Sequence, residues 1–135
     1  MRENYDTYAY FWVSEFDCKP EEISSLLGLQ PTIVKLKGEP FTHGRLRRRS
    51  SWEYHSTLPR SEIFQDKHLS NLMTELLPRV TKIKDIGNRH SIGISCVGYY
   101  TNVNPGFHMS KELINQCAQL GVSIDFDLYN SNEPE

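Results

Sequence analysis

Aromatic and β-branched residues crowd the segment from Tyr5 to Phe16, and TYAYFWVSEF within it is apolar at odd and even positions alike. That pattern predicts a strand apolar on both faces and central in its sheet. DCKPEEISSLLGLQP then reads as a helix: Pro20 sits near its first turn, Glu21 and Glu22 at its positive end, Ile23, Leu26 and Leu27 on one face, and Gly28 at its stop. TIVKL follows as a second strand.

Gly38 to Ser50 shows no apolar period and contains Gly38, Pro40 and Gly44, which predicts a long loop, a length usually tied to function or mobility. SWEYHS alternates as a third strand. A helix is expected from near Asp66 because Leu69, Leu72, Met73 and Leu76 recur every three or four positions; Pro78 must kink or restart it, and a second piece runs through Val80 and Ile83 to Gly87. HSIGISCVGYY is the next strand, with Ile92, Ile94 and Cys96 on one side and Ser95, Val97 and Tyr99 on the other. After the turn-rich TNVNPGF, Ser110 caps a helix carrying Leu113, Ile114, Cys117 and Leu120, Gly121 stops it, and VSIDFDLY alternates as the last strand.

ISSLLGLQPTIVKL and LINQCAQLGVSIDFDL share one order, helix then glycine stop then strand, and each follows an aromatic-rich strand. Two such βαβ units pack as a largely antiparallel sheet with helices on one face, so the expected fold is α+β, a ferredoxin-like two-layer sandwich. One domain is expected over residues 1–135: an ordered core from 5 to 130, a basic loop from 38 to 50 and a polar tail from 131 to 135.

Charge sharpens this picture. The formal net charge is -2, yet residues 35–49 set Lys35, Lys37, Arg45, Arg47, Arg48 and Arg49 against Glu39, a balance of +5 that leaves -7 elsewhere. The expectation is a basic loop on an acidic body. No apolar run approaches the roughly 20 residues of a membrane helix, and MRENYDTY shows no apolar segment before a cleavage site. With Cys18, Cys96 and Cys117 odd in number and unpaired by spacing, a cytoplasmic protein with three thiols is expected.

If the helices cover Ala9, Phe11 and Val13, the opposite face displays Tyr8, Tyr10 and Trp12, joined by Trp52, Tyr54 and Tyr99 from neighbouring strands. An aromatic surface of that extent marks a binding site or interface; the alternative is a face sealed in the core or under the long loop. The candidate partner-binding residues are therefore Arg45, Arg47, Arg48, Arg49, Tyr10, Trp12, Trp52 and Tyr54. A protein partner suits them, because interfaces favour Trp, Tyr and Arg. RNA or single-stranded DNA is the alternative, through base stacking beside arginines. Against it, GYYTNVNPGF lacks the basic-Gly-aromatic pattern of RNA-recognition domains, and a body at -7 repels a polyanion.

Catalytic and metal chemistry finds little footing. Asp125 and Asp127 share one side of the last strand without a third carboxylate, and the histidines at 43, 55, 68, 90 and 108 show neither HxH nor HExxH spacing. His90 and Cys96 lie on one strand roughly 20 Å apart at about 3.3 Å per residue. Cys18 has acidic neighbours that raise its pKa. GxSxG, P-loop and GxGxxG patterns are missing. A non-enzymatic protein without cofactor or metal is expected.

The aromatic first strand, PEEISSLLGLQPT with Gly28 and Pro31, then Gly38, the strand-opening Trp52, the leucine-rich middle helix and the closing KELINQCAQLGVSIDFDLY together resemble the bacterial family catalogued as domain of unknown function 4279. The resemblance implies a small bacterial cytosolic α+β domain and carries over no catalytic residues. Small standalone bacterial domains of this kind are similar to immunity or antitoxin proteins, which occlude a toxin's active site. An acidic body would suit a basic toxin, so an immunity-type protein is the expected function.

Overall fold

The computed structural model describes residues 6–101 and 106–130; the expected tail, 131–135, and most of the TNVNPGF turn lie outside them. The elements run β1(Asp6–Ser14), α1(Pro20–Leu27), β2(Ile33–Lys35), β3(Ser51–His55), α2(Gln65–Leu76), α3(Val80–Gly87), β4(Ser91–Tyr100), α4(Lys111–Leu120) and β5(Ser123–Asn130). Pro20 opens α1, and Gly28 ends it at φ 68°, a left-handed conformation that costs glycine little. The exposed carbonyls of that helix end are met from outside. Arg79 donates from Nε to Leu27 O at 2.7 Å and from Nη2 to Gly28 O at 3.3 Å. Pro78 restarts rather than kinks the middle helix: a 3-10 turn at Leu77–Arg79 separates α2 from α3. Ser110 Oγ caps α4 by accepting from Leu113 N at 3.1 Å.

The five strands form one sheet in the order β2-β3-β1-β4-β5. β1 pairs antiparallel with β3 and β4, β2 pairs antiparallel with β3, and β5 runs parallel to β4. The fold is α+β with a mixed, mostly antiparallel sheet. The two βαβ units are placed differently in it: β4-α4-β5 joins adjacent parallel strands, whereas β1-α1-β2 joins strands separated by β3. Helix, glycine stop and strand are local signals, and they do not fix which strand ends up beside which.

β1 occupies the middle of the sheet and alternates strictly, its odd positions buried and its even positions half-buried. Ala9, Phe11 and Val13 are fully buried against Ile23 and Leu27 of α1, Leu69, Leu72, Met73 and Leu76 of α2, Ile83 and Ile86 of α3, and Leu113, Cys117 and Leu120 of α4. All four helices thus cover one face. Polar side chains also enter this core, His68 and Gln65 among them. His68, fully buried, holds Ser56 Oγ at Nδ1 and Glu62 O at Nε2, both at 2.9 Å. Gln65 donates to Val97 O at 2.7 Å.

Candidate functional site

Strand register decides which side chains share the helix-free face. Tyr10 lies opposite His55 and Trp12 opposite Glu53 on β3, and Ile33 and Lys35 of β2 continue the row. On the other side Asp6 faces Tyr99, Tyr8 faces Val97, Tyr10 faces Ser95 and Trp12 faces Gly93. Asp125, Asp127 and Tyr129 of β5 extend the surface beside Ser95, Val97 and Tyr99. Tyr8, Tyr10, Trp12 and Tyr99 therefore stand together on one face, as expected from the alternation.

Trp52 and Tyr54 do not join them. Trp52 lies opposite Val13 and Tyr54 opposite Phe11, on the helical side. Trp52 is 0% exposed, meets Phe11 edge-on with ring centroids 6.3 Å apart, and donates from Nε1 to Ser24 Oγ at 3.0 Å. It is a core residue with its one polar atom satisfied, and Tyr54 is half-buried against the same core. His55 and Tyr129, not among the expected residues, take their place on the aromatic face.

The rings pack into two groups. Tyr8, Tyr10 and His55 lie nearly parallel, with His55 at 5.4 Å from Tyr8 and 4.8 Å from Tyr10. Tyr99 stacks on Tyr129 at 4.7 Å. Gly93 has a reason to be glycine, because the Trp12 indole lies across it: a Cβ there would fall 2.7 Å from Trp12 Cε2. Arg60, reached as the chain leaves β3, sits 4.0 Å over the Tyr8 ring and donates to Asp6 Oδ1 at 3.1 Å.

Beside the rings lies a polar set around one buried carboxylate. Glu53 accepts from His55 Nε2 at 2.9 Å and pairs with Lys35 Nζ at 3.1 Å. Burial alone would raise its pKa, but His55 and Lys35 outweigh it and hold the carboxyl below the ordinary carboxylate range. Burial raises Tyr10 and Tyr8, the latter against the pull of Arg60. Counting the face, Asp6, Glu53, Asp125 and Asp127 stand against Lys35 and Arg60.

The basic loop is a small folded hairpin. Gly38 N donates to Arg47 O and Arg47 N to Glu39 O, both at 2.8 Å, and Phe41 N donates to Arg45 O at 2.9 Å around the bridge of Pro40 with Leu46. Arg47 lies 5.3 Å over the Phe41 ring, and Arg49 pairs with Glu15 at 3.4 Å. Among the described residues Arg45, Arg47 and Arg48 have no carboxylate within 4.0 Å. With Phe41 and Leu46 they line an open hollow of about 720 Å³. The hairpin joins β2 to β3 at the end of the sheet where Lys35, Ser51 and Ser14 align, at the margin of the aromatic face.

Other chemistry stays dispersed. Among the described residues no group of three His, Cys, Asp or Glu side chains could hold a metal ion. Burial, with Cys117 nearby, pushes the Cys96 thiol up to about 12, and burial followed by Glu22 raises Cys18. No helix among the described residues is long and apolar enough to cross a membrane.

The chain belongs to the family described as Domain of unknown function (DUF4279), which matches residues 5–131. No curated protein and no solved structure matches it.

Proposed function

We propose that this chain is a non-enzymatic binding module for a protein, and that its most specific form is an immunity-type inhibitor that occludes a toxin. The observation that carries the reading is the helix-free sheet face, where Tyr8, Tyr10, Trp12, Tyr99 and Tyr129 are brought side by side by strand register. Large aromatics anchored over a packed sheet lose little conformational freedom on docking and supply the contact area that binding energy concentrates in. The acidic balance of that face favours a basic partner. The unpaired arginines of the hairpin add a second contact at its margin, suited to a carboxylate on the same partner.

The alternative of RNA or single-stranded DNA draws on those arginines. Asp125 and Asp127, exposed on the aromatic face with no ion pair among the described residues, work against it, since they would stand near the phosphates of a strand whose bases stacked there. For the architecture we propose the finer reading of a ferredoxin-like core. The order β2-β3-β1-β4 and its antiparallel pairings support that reading, with α4 and β5 as an added unit.

The test is co-expression with a toxin domain encoded beside this chain, read by growth and by co-purification. The protein should restore growth and co-purify, and Tyr10→Ala with Trp12→Ala should abolish both while leaving the fold intact by circular dichroism. An inert neighbour with nothing co-purifying removes the immunity reading. Nucleic acid carried through purification at low salt, and lost in an Arg45/Arg47/Arg48→Gln variant, selects the alternative.

A further inference from the structure

The two edges of the sheet are unequal. β2 is three residues long and ends at Lys35, a brevity that protects against edge pairing. β5 is eight residues long, pairs with β4 in unbroken register from Ser123 to Asn130, and contains no proline, lysine or positive φ. Among the described residues β4 is its one strand partner. Alternate residues between Ser123 and Tyr129 thus turn their backbone N–H and C=O away from β4, toward a sheet position that no strand among the described residues fills.

The side chains along this edge are sorted by face. Phe126, at 44% exposure, and Leu128, at 43%, lie on the helical side, where Phe107 meets Phe126 with centroids 5.7 Å apart. Asp125 and Asp127 are exposed on the other side with no ion pair among the described residues, and Tyr129 follows them. This charge pattern argues against a second copy as the occupant. Two antiparallel copies related by a twofold axis keep like faces together, and the two registers that use most of the strand centre on Phe126 or on Asp127. The first sets Asp125 against Asp127 twice, and the second sets Asp127 against itself; like charges directly opposite destabilise a strand pair.

We infer that β5 is a docking edge for an extended segment of a partner protein, which adds a sixth strand carrying Lys or Arg opposite Asp125 and Asp127 and apolar residues against Phe126 and Leu128. Backbone hydrogen bonds supply the attachment and the alternation of side chains supplies the choice of sequence. The inference rests on the reading of a protein-binding module and extends it from the face to the edge.

The test uses a ten-residue peptide alternating Lys with Val or Leu, titrated into the full chain and followed by amide NMR and hydrogen exchange. Saturable binding should slow exchange and shift amides along Ser123–Asn130. Replacing the lysines by glutamine, or Asp125 and Asp127 together by asparagine, should raise Kd about tenfold, from two cross-strand charge pairs. N-methylation of alternate peptide amides should abolish binding, while Tyr10→Ala should leave it unchanged. Absence of binding, binding indifferent to N-methylation, or self-association that protects β5 overturns the proposal. If the peptide fails while a cognate protein still docks through Tyr10 and Trp12, the edge proposal falls and the face reading stands.

Discussion

Gly93→Ala probes the packing of the helix-free face most directly, because the indole of Trp12 lies across the position where a methyl group would have to go. The added Cβ would come within 2.7 Å of Cε2 and 3.0 Å of Cη2, closer than van der Waals contact allows. Overpacking of this kind costs about 1–3 kcal/mol when neighbours cannot yield. Trp12 is half-buried on an uncovered face and can swing outward, which places the cost near 2 kcal/mol, made up of rotamer strain and lost contact. Alanine in place of glycine in a strand returns about 0.5–1 kcal/mol. The net expectation is a loss of about 1 kcal/mol.

The same substitution in a Trp12→Ala background meets no ring, so only the favourable term remains and the sign reverses to a gain of about 0.5–1 kcal/mol. The coupling between the two positions is then roughly 2 kcal/mol, well above the error of a double-mutant cycle. Urea unfolding of all four proteins, followed by far-ultraviolet circular dichroism, measures it. A red shift in the emission of the Gly93→Ala protein would report the displaced indole, since Trp52 stays fully buried. Additive effects, or a loss of the same size in both backgrounds, would refute the placement of Trp12 and with it the geometry of the proposed docking face.

Three further outcomes follow from single residues. Ser24→Ala strips the acceptor from the buried Trp52 Nε1 and should cost about 1–3 kcal/mol in urea unfolding; a change below about 0.5 kcal/mol would detach Trp52 from that bond. The folded state holds Glu53 below the ordinary carboxylate range, so its contribution is fully present above the unfolded-state pKa and fades as pH falls through the lower folded value. Glu53→Gln should therefore lose stability at neutral pH and converge with the parent in acid, whereas a gap independent of pH would contradict the assignment. In the native protein a thiol-specific disulfide reagent should label Cys18 before Cys96 and Cys117, which are buried, and should label all three after denaturation.

What the sequence disclosed followed from local physics. Glycine stops at Gly28 and Gly121, the serine cap at Ser110 and the restart at Pro78 depend on neighbours within one turn, and each appears where the pattern predicts it. The even positions of β1 face away from the helices because period-2 alternation is equally local. Trp52 and Tyr54 lie on the helical side, against expectation, for a different reason: alternation says which residues share a face within a strand, but only register joins faces across strands. A signal was available, since SWEYHS is apolar at Trp52 and Tyr54 and polar at Ser51, Glu53 and His55, and a strand packed under helices turns its apolar side to them. His55 and Tyr129 were invisible because their neighbours come from strands distant in sequence. The basic segment gave no period because its hairpin is held by backbone bonds around Pro40 and Leu46 rather than by apolar side chains.

The alternation of β1 also separates stability from recognition within one strand. Thr7, Ala9, Phe11 and Val13 are fully buried and fix the sheet to the helices, so truncating Phe11 there costs about 3–5 kcal/mol as for any large core residue. Tyr8, Tyr10 and Trp12 lie one position away and touch no helix core, so the same truncation mainly removes surface that a partner would use. A slip of one residue in the pairing of β1 would exchange these roles, exposing Phe11 and burying Asp6 and Trp12. The register is pinned against that slip from both sides, by Val13 opposite Trp52 and by Trp12 opposite Gly93, where only glycine leaves room for the ring. Trp52, though it contacts no partner, thus sets the orientation of the rings that would, and a variant that loosens it should weaken docking and stability together. Substitution of Tyr10 should weaken docking alone.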